Sequence, residues 1–245
     1  MKDNFSTHAG LYARYRPQYP AALFEYIISF VKEKKLAWDC GTGNGQTAGE
    51  LSKYFEKVYA TDISNKQIEH AVKEKNILYA VEPAERTAIE DNSVDLITIS
   101  QALHWFDLDQ FYPEVKRVSK PGAIIAAWTY SLLQTDPITD ALIYRHHYET
   151  LENYWDAERK HVDDGYKNLS FPFKQIESPE FFIEVHWNLQ ELEGYFNTWS
   201  ALQKFIAQNN YNPVTNLVEE IKQHWPLLET RKILFPIHLK LGYVV

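Results

Sequence analysis

Residues 35–55 read KLAWDCGTGNGQTAGELSKYF. A short apolar run leads into glycines at 41, 43 and 45, and a helical pattern follows at once. Glycine loses more backbone freedom on folding than any other residue, so three at alternate positions mark a turn of unusual backbone or one that must approach a ligand closely. Strand, glycine-rich turn and helix, in that order, describe the ligand-binding edge of an open α/β sheet at the carboxyl ends of its strands.

Outward from this stretch the apolar period alternates between two and 3.6 residues. YPAALFEYIISFVKEK is helical, with Leu23, Tyr26, Ile27 and Phe30 on one face. KVYATD, ILYAVE and SVDLITISQA read as strands, NKQIEHAVKEK and LDQFYPEVKRVS as helices, and a Lys-Pro-Gly turn precedes the strand AIIAAWTY. This alternation predicts a doubly wound, Rossmann-like, mostly parallel sheet of seven strands with helices on both faces. After Tyr130 the rhythm changes. Helical stretches from about Ile138 to Glu158 and from Glu191 to Gln208 surround one strand, FFIEVHWNL, and KILFPIHLKLGYVV reads as a last strand with a bend at Pro236. One domain over 1–245 is expected. Its parts are an N-terminal lid and helix (1–34), a cofactor-binding core (35–130), a helical substrate cap (131–232) and the last strand (233–245).

Composition narrows the function. With 25 basic and 33 acidic residues the formal charge is -8, which repels a nucleic-acid backbone. No nucleic-acid partner is expected. The single cysteine, Cys40, allows no internal disulfide framework, and neither a signal core nor an apolar run of membrane-spanning length is present, so a cytoplasmic protein with no membrane partner is expected. His146 and His147 are adjacent and diverge on a helix, which places them on a solvated face and gives no metal site.

The loop chemistry is selective. A dinucleotide fingerprint beginning at Gly41 requires glycine at 46, where Gln46 stands, and no Gly-Lys-Ser/Thr follows to make a P-loop. Asp39 ahead of the glycines suits a ligand that is cationic at that point, since a carboxylate repels pyrophosphate.

These residues resemble the first motif of the class I S-adenosylmethionine-dependent methyltransferases. Asp62 in VYATDIS, Ile63 after it, and AERTAIEDNSVDLITISQALHW extend the resemblance. It implies S-adenosyl-L-methionine as cofactor, with Asp39, Gly41, Gly43 and Gln46 at the loop. Asp62 falls on the ribose hydroxyls, Ile63 against adenine, Ala84 and Glu85 at the adenine edge, and Gln101 near the methionine end. YARYRPQYP, QALHWFD, AAWTY, YWDAERKHVDDGY and TWSA are similar to the small-molecule subfamily that includes the trans-aconitate and cantharidin methyltransferases. The first of these segments implies a lid that brings Tyr15 and Arg16 to the cofactor and Tyr12 to the substrate. Trp105, Trp128 and Trp199 are the apolar candidates for the substrate pocket.

The expected reaction transfers a methyl group to an oxygen of a small molecule, an organic acid by preference. A carboxylate is ionised at neutral pH and needs no base, but it needs a cation, for which Arg16 and Arg145 are the candidates. A hydroxyl or amine acceptor would need a base, and His104 is placed for it. A dinucleotide-dependent oxidoreductase and a non-catalytic ligand-binding protein of the same fold are the alternatives. A nucleic-base methyltransferase is a weaker option, because SQAL stands where an Asn/Asp-Pro-Pro-aromatic run belongs.

Overall fold

The computed structural model describes residues 15–245. Pro20 begins α1 (Ala21–Ser29), which buries Leu23, Phe24, Ile27 and Ile28 along one face. The helix stops short of the expected Lys34, because the amides of Phe30 and Val31 turn to carbonyls three residues back, at 3.3 and 3.0 Å.

The next units follow the expected alternation: β1 (Leu36–Cys40), α2 (Gln46–Leu51), β2 (Lys57–Asp62), α3 (Asn65–Glu69), β3 (Ile77–Val81), β4 (Val94–Ser100), α4 (Leu108–Val118) and β5 (Ser119–Tyr130). The Lys120–Gly122 turn proves to be a loop-out inside β5. Register on β4 jumps there from Ser119 to Ile124, and Gly122 takes a φ of 78°.

Beyond β5 come α5 (Pro137–Arg145), a π-turn at His146–Thr150, a 3-10 turn at Glu152–Tyr154, α6 (Arg159–Asp163), β6 (Lys174–Ile176) and β7 (Phe181–Trp187). Then follow α7 (Leu189–Phe196), α8 (Ser200–Asn209), α9 (Val214–Ile221) and β8 (Arg231–Tyr243). Segment 131–232 therefore holds two strands where one was expected, and the described sheet has eight strands where seven were expected. The strand that the sequence pattern missed, β6, has only three residues, too few to display a period.

The sheet order is β3-β2-β1-β4-β5-β8-β6, with β7 also on β8. The first five strands are parallel and β8 is antiparallel to its neighbours. Long β8 can serve two partners because it changes them near Pro236: β7 pairs along 231–237 and β5 along 237–243. Pro236 has no N–H to give, and its carbonyl accepts the Ser131 amide at 3.0 Å. One face of the sheet is buried under Leu23, Ala48, Leu51 and the α7–α9 residues Leu192, Phe196, Leu202 and Leu217. The other packs Trp38, Ile97 and Ile125 against Phe111, Val115 and Tyr166. Strand order reverses between β1 and β4, so the crevice at the carboxyl ends of these strands is the natural ligand site.

Candidate active site

The glycine loop is tied down on both sides. Asp39, last but one in β1, is 1% exposed; it pairs across the sheet with Thr98 of β4 and accepts that hydroxyl at 2.8 Å and the Thr42 hydroxyl at 2.5 Å. Burial pushes its carboxyl up to about 6, against the opposing hydrogen bonds of Thr42, Thr98 and the Ala48 amide. Asp39 lines neither of the cavities described below; its hydrogen bonds hold the walls of the loop.

Each glycine then has its own constraint. At Gly41 (φ 67°) a side chain would meet the Ala102 Cβ at 2.6 Å, and at Gly45 (φ 77°) the Tyr79 hydroxyl at 2.2 Å. At Gly43 (φ 54°) nothing stands within 4 Å of an added Cβ, so this residue opens its backbone to the crevice.

The crevice is lined by Arg16, Gly41, Gly43, Gln46, Asp62, Ile63 and Gln101, all expected at the cofactor from sequence, and by Trp105, expected at the substrate. Asp62 ends β2 and accepts two backbone amides, Gly43 at 2.9 Å through Oδ2 and Ser64 at 2.9 Å through Oδ1. Gln46 donates to the Pro17 carbonyl at 3.3 Å, so the start of α2 carries the segment that precedes α1. Tyr19, Ser100 and Tyr130 also line the crevice, unforeseen from sequence. Ser100 donates to the Tyr19 hydroxyl at 2.8 Å, and Arg16 donates to the Tyr130 hydroxyl at 2.7 Å.

A second cavity adjoins the first and shares Arg16, Gln101 and Trp105 with it. Gln101 takes a strained φ of 56° and accepts the Thr129 hydroxyl at 2.5 Å. His104, Trp155, Asp156, Arg159 and Trp199 stand among the other residues of the second wall. His104 Nδ1 lies 2.9 Å from the Tyr166 hydroxyl. Burial, reinforced by the charge of Arg159, pushes this imidazole down to about 3, so it is neutral at neutral pH.

Other expected site residues lie elsewhere. Tyr12 is outside the described residues. Tyr15 packs on α7, where a side chain at Gly194 would strike its ring at 2.4 Å. Ala84 is buried in the core, and Glu85 accepts the Asp107 amide at 2.9 Å; neither lines the two cavities. Trp128 is fully buried, edge-on to Tyr19 and Phe24, because its place on β5 turns it into the sheet's α1 face. Arg145 pairs with Glu220 on the surface at 2.5 Å and lines neither cavity.

His146 and His147 are not solvated. They are 5% and 0% exposed, because the π-turn folds them under Trp155 and Trp199. Among the described residues no group of three or more His, Cys, Asp or Glu could hold a metal ion, and no helix is long and apolar enough to cross a membrane.

A mostly parallel sheet with a glycine cradle at its switch point and an acid at the end of β2 defines a doubly wound α/β fold of the nucleotide-binding kind. Comparison with known proteins gives the family. A methyltransferase-domain family model matches residues 38–127. A Dictyostelium discoideum protein described as a methyltransferase is 34% identical over 89% of this chain and 85% of its own length. The solved structure of a protein described as a type II methyltransferase, from Anaeromyxobacter dehalogenans, superposes with a TM-score of 0.88, 37% identity and coverage of 94% and 98% of the two chains. A Saccharomyces cerevisiae protein described as S-adenosylmethionine-dependent is 27% identical over 69% of this chain and 60% of its own length. The chain belongs to the class I S-adenosylmethionine-dependent methyltransferases and is an enzyme that uses that cofactor.

Proposed function

We propose that the enzyme transfers the methyl group to an oxygen of a small organic acid seated in the second cavity. The observation that carries this reading is the pair of guanidinium groups, Arg16 and Arg159, on a cavity whose histidine is held neutral. Guanidinium binds a carboxylate in a two-pronged fork. The ionised acid is already nucleophilic, so the neutral His104 has no proton to remove.

The first cavity fits the cofactor. Gly43 leaves open space where any other residue would intrude, and Asp62 stands beside it as the acceptor for ribose hydroxyls. Ile63 offers an apolar face to adenine, Gln46 closes the loop side, and Gln101 stands at the methionine end where the two cavities meet. When bound, the cofactor supplies an electrophilic methyl group on a sulfonium centre that is already a good leaving group. The residues of the chain align the acceptor and exclude water, the main contributions such a transfer requires. Segment 131–232 acts as the substrate cap, since Trp155, Arg159 and Trp199 all come from it, and residues before α1 act as the lid through Arg16.

The test is a panel of small carboxylic acids incubated with methyl-labelled cofactor, with products identified by mass. A base-labile methyl ester is expected. A product methylated only at nitrogen or carbon would overturn the reading.

A further inference from the structure

The second cavity contains a further cation whose side chain is held at two points. Arg159, the first residue of α6, donates through Nε to Asp163 Oδ1, one turn later, at 2.9 Å. Its guanidinium lies 4.7 Å from the centre of the Trp155 ring, and Trp155 itself donates to the His147 carbonyl at 3.1 Å. The side chain is thus fixed along one edge and one face. The two Nη groups have no hydrogen-bond partner among the described residues.

This is the arrangement that a fork needs to meet a planar oxyanion: the guanidinium is pre-oriented, so little rotamer entropy remains to be lost on binding. The stack on tryptophan adds a cation–π contact that holds the plane. Nearby charges favour an anion. Asp156, the one carboxylate that lines the cavity among the described residues, pairs with Lys204 at 2.7 Å, and Asp163 is engaged by Arg159. Behind Asp163, His147 places Nε2 3.6 Å from the same Oδ1 and is fully buried, with no hydrogen bond at either ring nitrogen. Beside it, His146 and Tyr148 complete the packing.

We infer that Arg159 is the specificity-determining residue of the second cavity, gripping a carboxylate of the acceptor through its Nη pair, with Asp163 as the positioning residue that orients it. This rests on the reading of that cavity as the acceptor's. The grip differs from the shared Arg16, which also borders the cofactor crevice and so cannot discriminate acceptors alone.

The test uses the full chain saturated with S-adenosylhomocysteine and titrated calorimetrically with acetate, benzoate and succinate, and with acetamide and benzamide as uncharged counterparts. At least one acid is expected to bind better than its amide. Arg159→Gln should weaken that acid by about tenfold or more, the scale of one charged hydrogen bond. Arg159→Lys, a point charge without a fork, should recover only part of the loss. Asp163→Asn should raise KM several-fold for any acid that is turned over, with kcat little changed.

S-adenosylhomocysteine affinity, retained in every variant, reports an intact fold. Equal binding of acids and amides, or acid binding unchanged in Arg159→Gln, overturns the inference. Acids that bind through Arg159 but are never methylated would instead defeat the proposed function and leave this site standing.

Discussion

Asp62 Oδ2 accepts the amide of Gly43 at 2.9 Å, so the acid ending β2 and the middle glycine of the β1 loop form one hydrogen-bonded unit. The same carboxylate reaches the Ser64 amide through its other oxygen. Asp62 is therefore a loop brace, and its proposed contact with the cofactor can be tested apart from that role. Asp62→Asn keeps one acceptor oxygen, whereas Asp62→Ala keeps none. Calorimetry with S-adenosylhomocysteine should show a loss of about 1.5–3 kcal/mol for the alanine variant and less for asparagine. Equal affinity in wild type and a folded Asp62→Ala chain would reduce Asp62 to a brace.

The three loop glycines should fail differently. Gly45→Ala sets a methyl group against Tyr79, whose hydroxyl is also bonded to the Val72 carbonyl at 2.8 Å, and should lower the melting temperature markedly. Gly43→Ala meets open space, so its stability cost is limited to the backbone strain of about 1 kcal/mol, while its methyl group enters the crevice. Cofactor affinity should fall more at Gly43 than stability does. Thermal melts with and without S-adenosylhomocysteine separate the two effects, and identical profiles for both variants would contradict the assignment.

Acid sensitivity has a defined sign. His104, His146 and His147 titrate at about 3, about 4 and about 3 in the folded chain, burial being the main cause, against an ordinary 6.5. Below 6.5 the unfolded chain binds more protons at these sites, so their contribution is complete above that value and is lost as pH falls. Asp39 acts oppositely. Raised to about 6 from an ordinary 3.8, its contribution is complete below 3.8 and is lost as pH rises through 6. Three groups outweigh one, and stability should decline from pH 7 toward 4.5. His147→Gln removes one titrating site and should flatten that slope by about 1.4 kcal/mol per pH unit in urea-unfolding series at pH 4.5–6. A slope identical to wild type would show that His147 is not the neutral buried group described.

Arg145 supplies a control. Its exposed pair with Glu220 is worth no more than about 1 kcal/mol. Arg145→Gln should leave KM for the acceptor and cofactor affinity at wild-type values. A rise in KM confined to Arg145→Gln would return Arg145 to the acceptor site.

How far the sequence was legible depended on whether a feature is local. Glycines at 41, 43 and 45 lie within one strand-turn-helix unit, so their spacing marked the ligand edge of the sheet, and the family resemblance added Asp62 at the end of β2. The second cavity draws on residues 16, 101, 104, 155, 159 and 199, which only the tertiary fold brings together. Arg159 and Asp163 stand in YWDAERKHVDDGY, a segment that carries the family resemblance, but α6 has five residues between irregular turns, too short for a 3.6-residue period to show which of its side chains meet the cavity. Arg145 is a candidate from sequence because it is a guanidinium on the first helix after β5; the π-turn that follows redirects the chain, and no periodic signal announces such a turn. Trp128 misled for a related reason: its strand was recognised, but which face of a strand buried on both sides meets a ligand is not written in an unbroken apolar run.

An acceptor that arrives ionised, as proposed, needs a cation and not a base. The direct measurement is the steady-state kcat of His104→Asn on the best acid substrate at neutral pH. Asparagine can still meet the Tyr166 hydroxyl that Nδ1 meets at 2.9 Å, and kcat should stay within a few-fold of wild type. A loss of about a hundredfold or more at unchanged KM, the scale of a missing general base, would contradict the account.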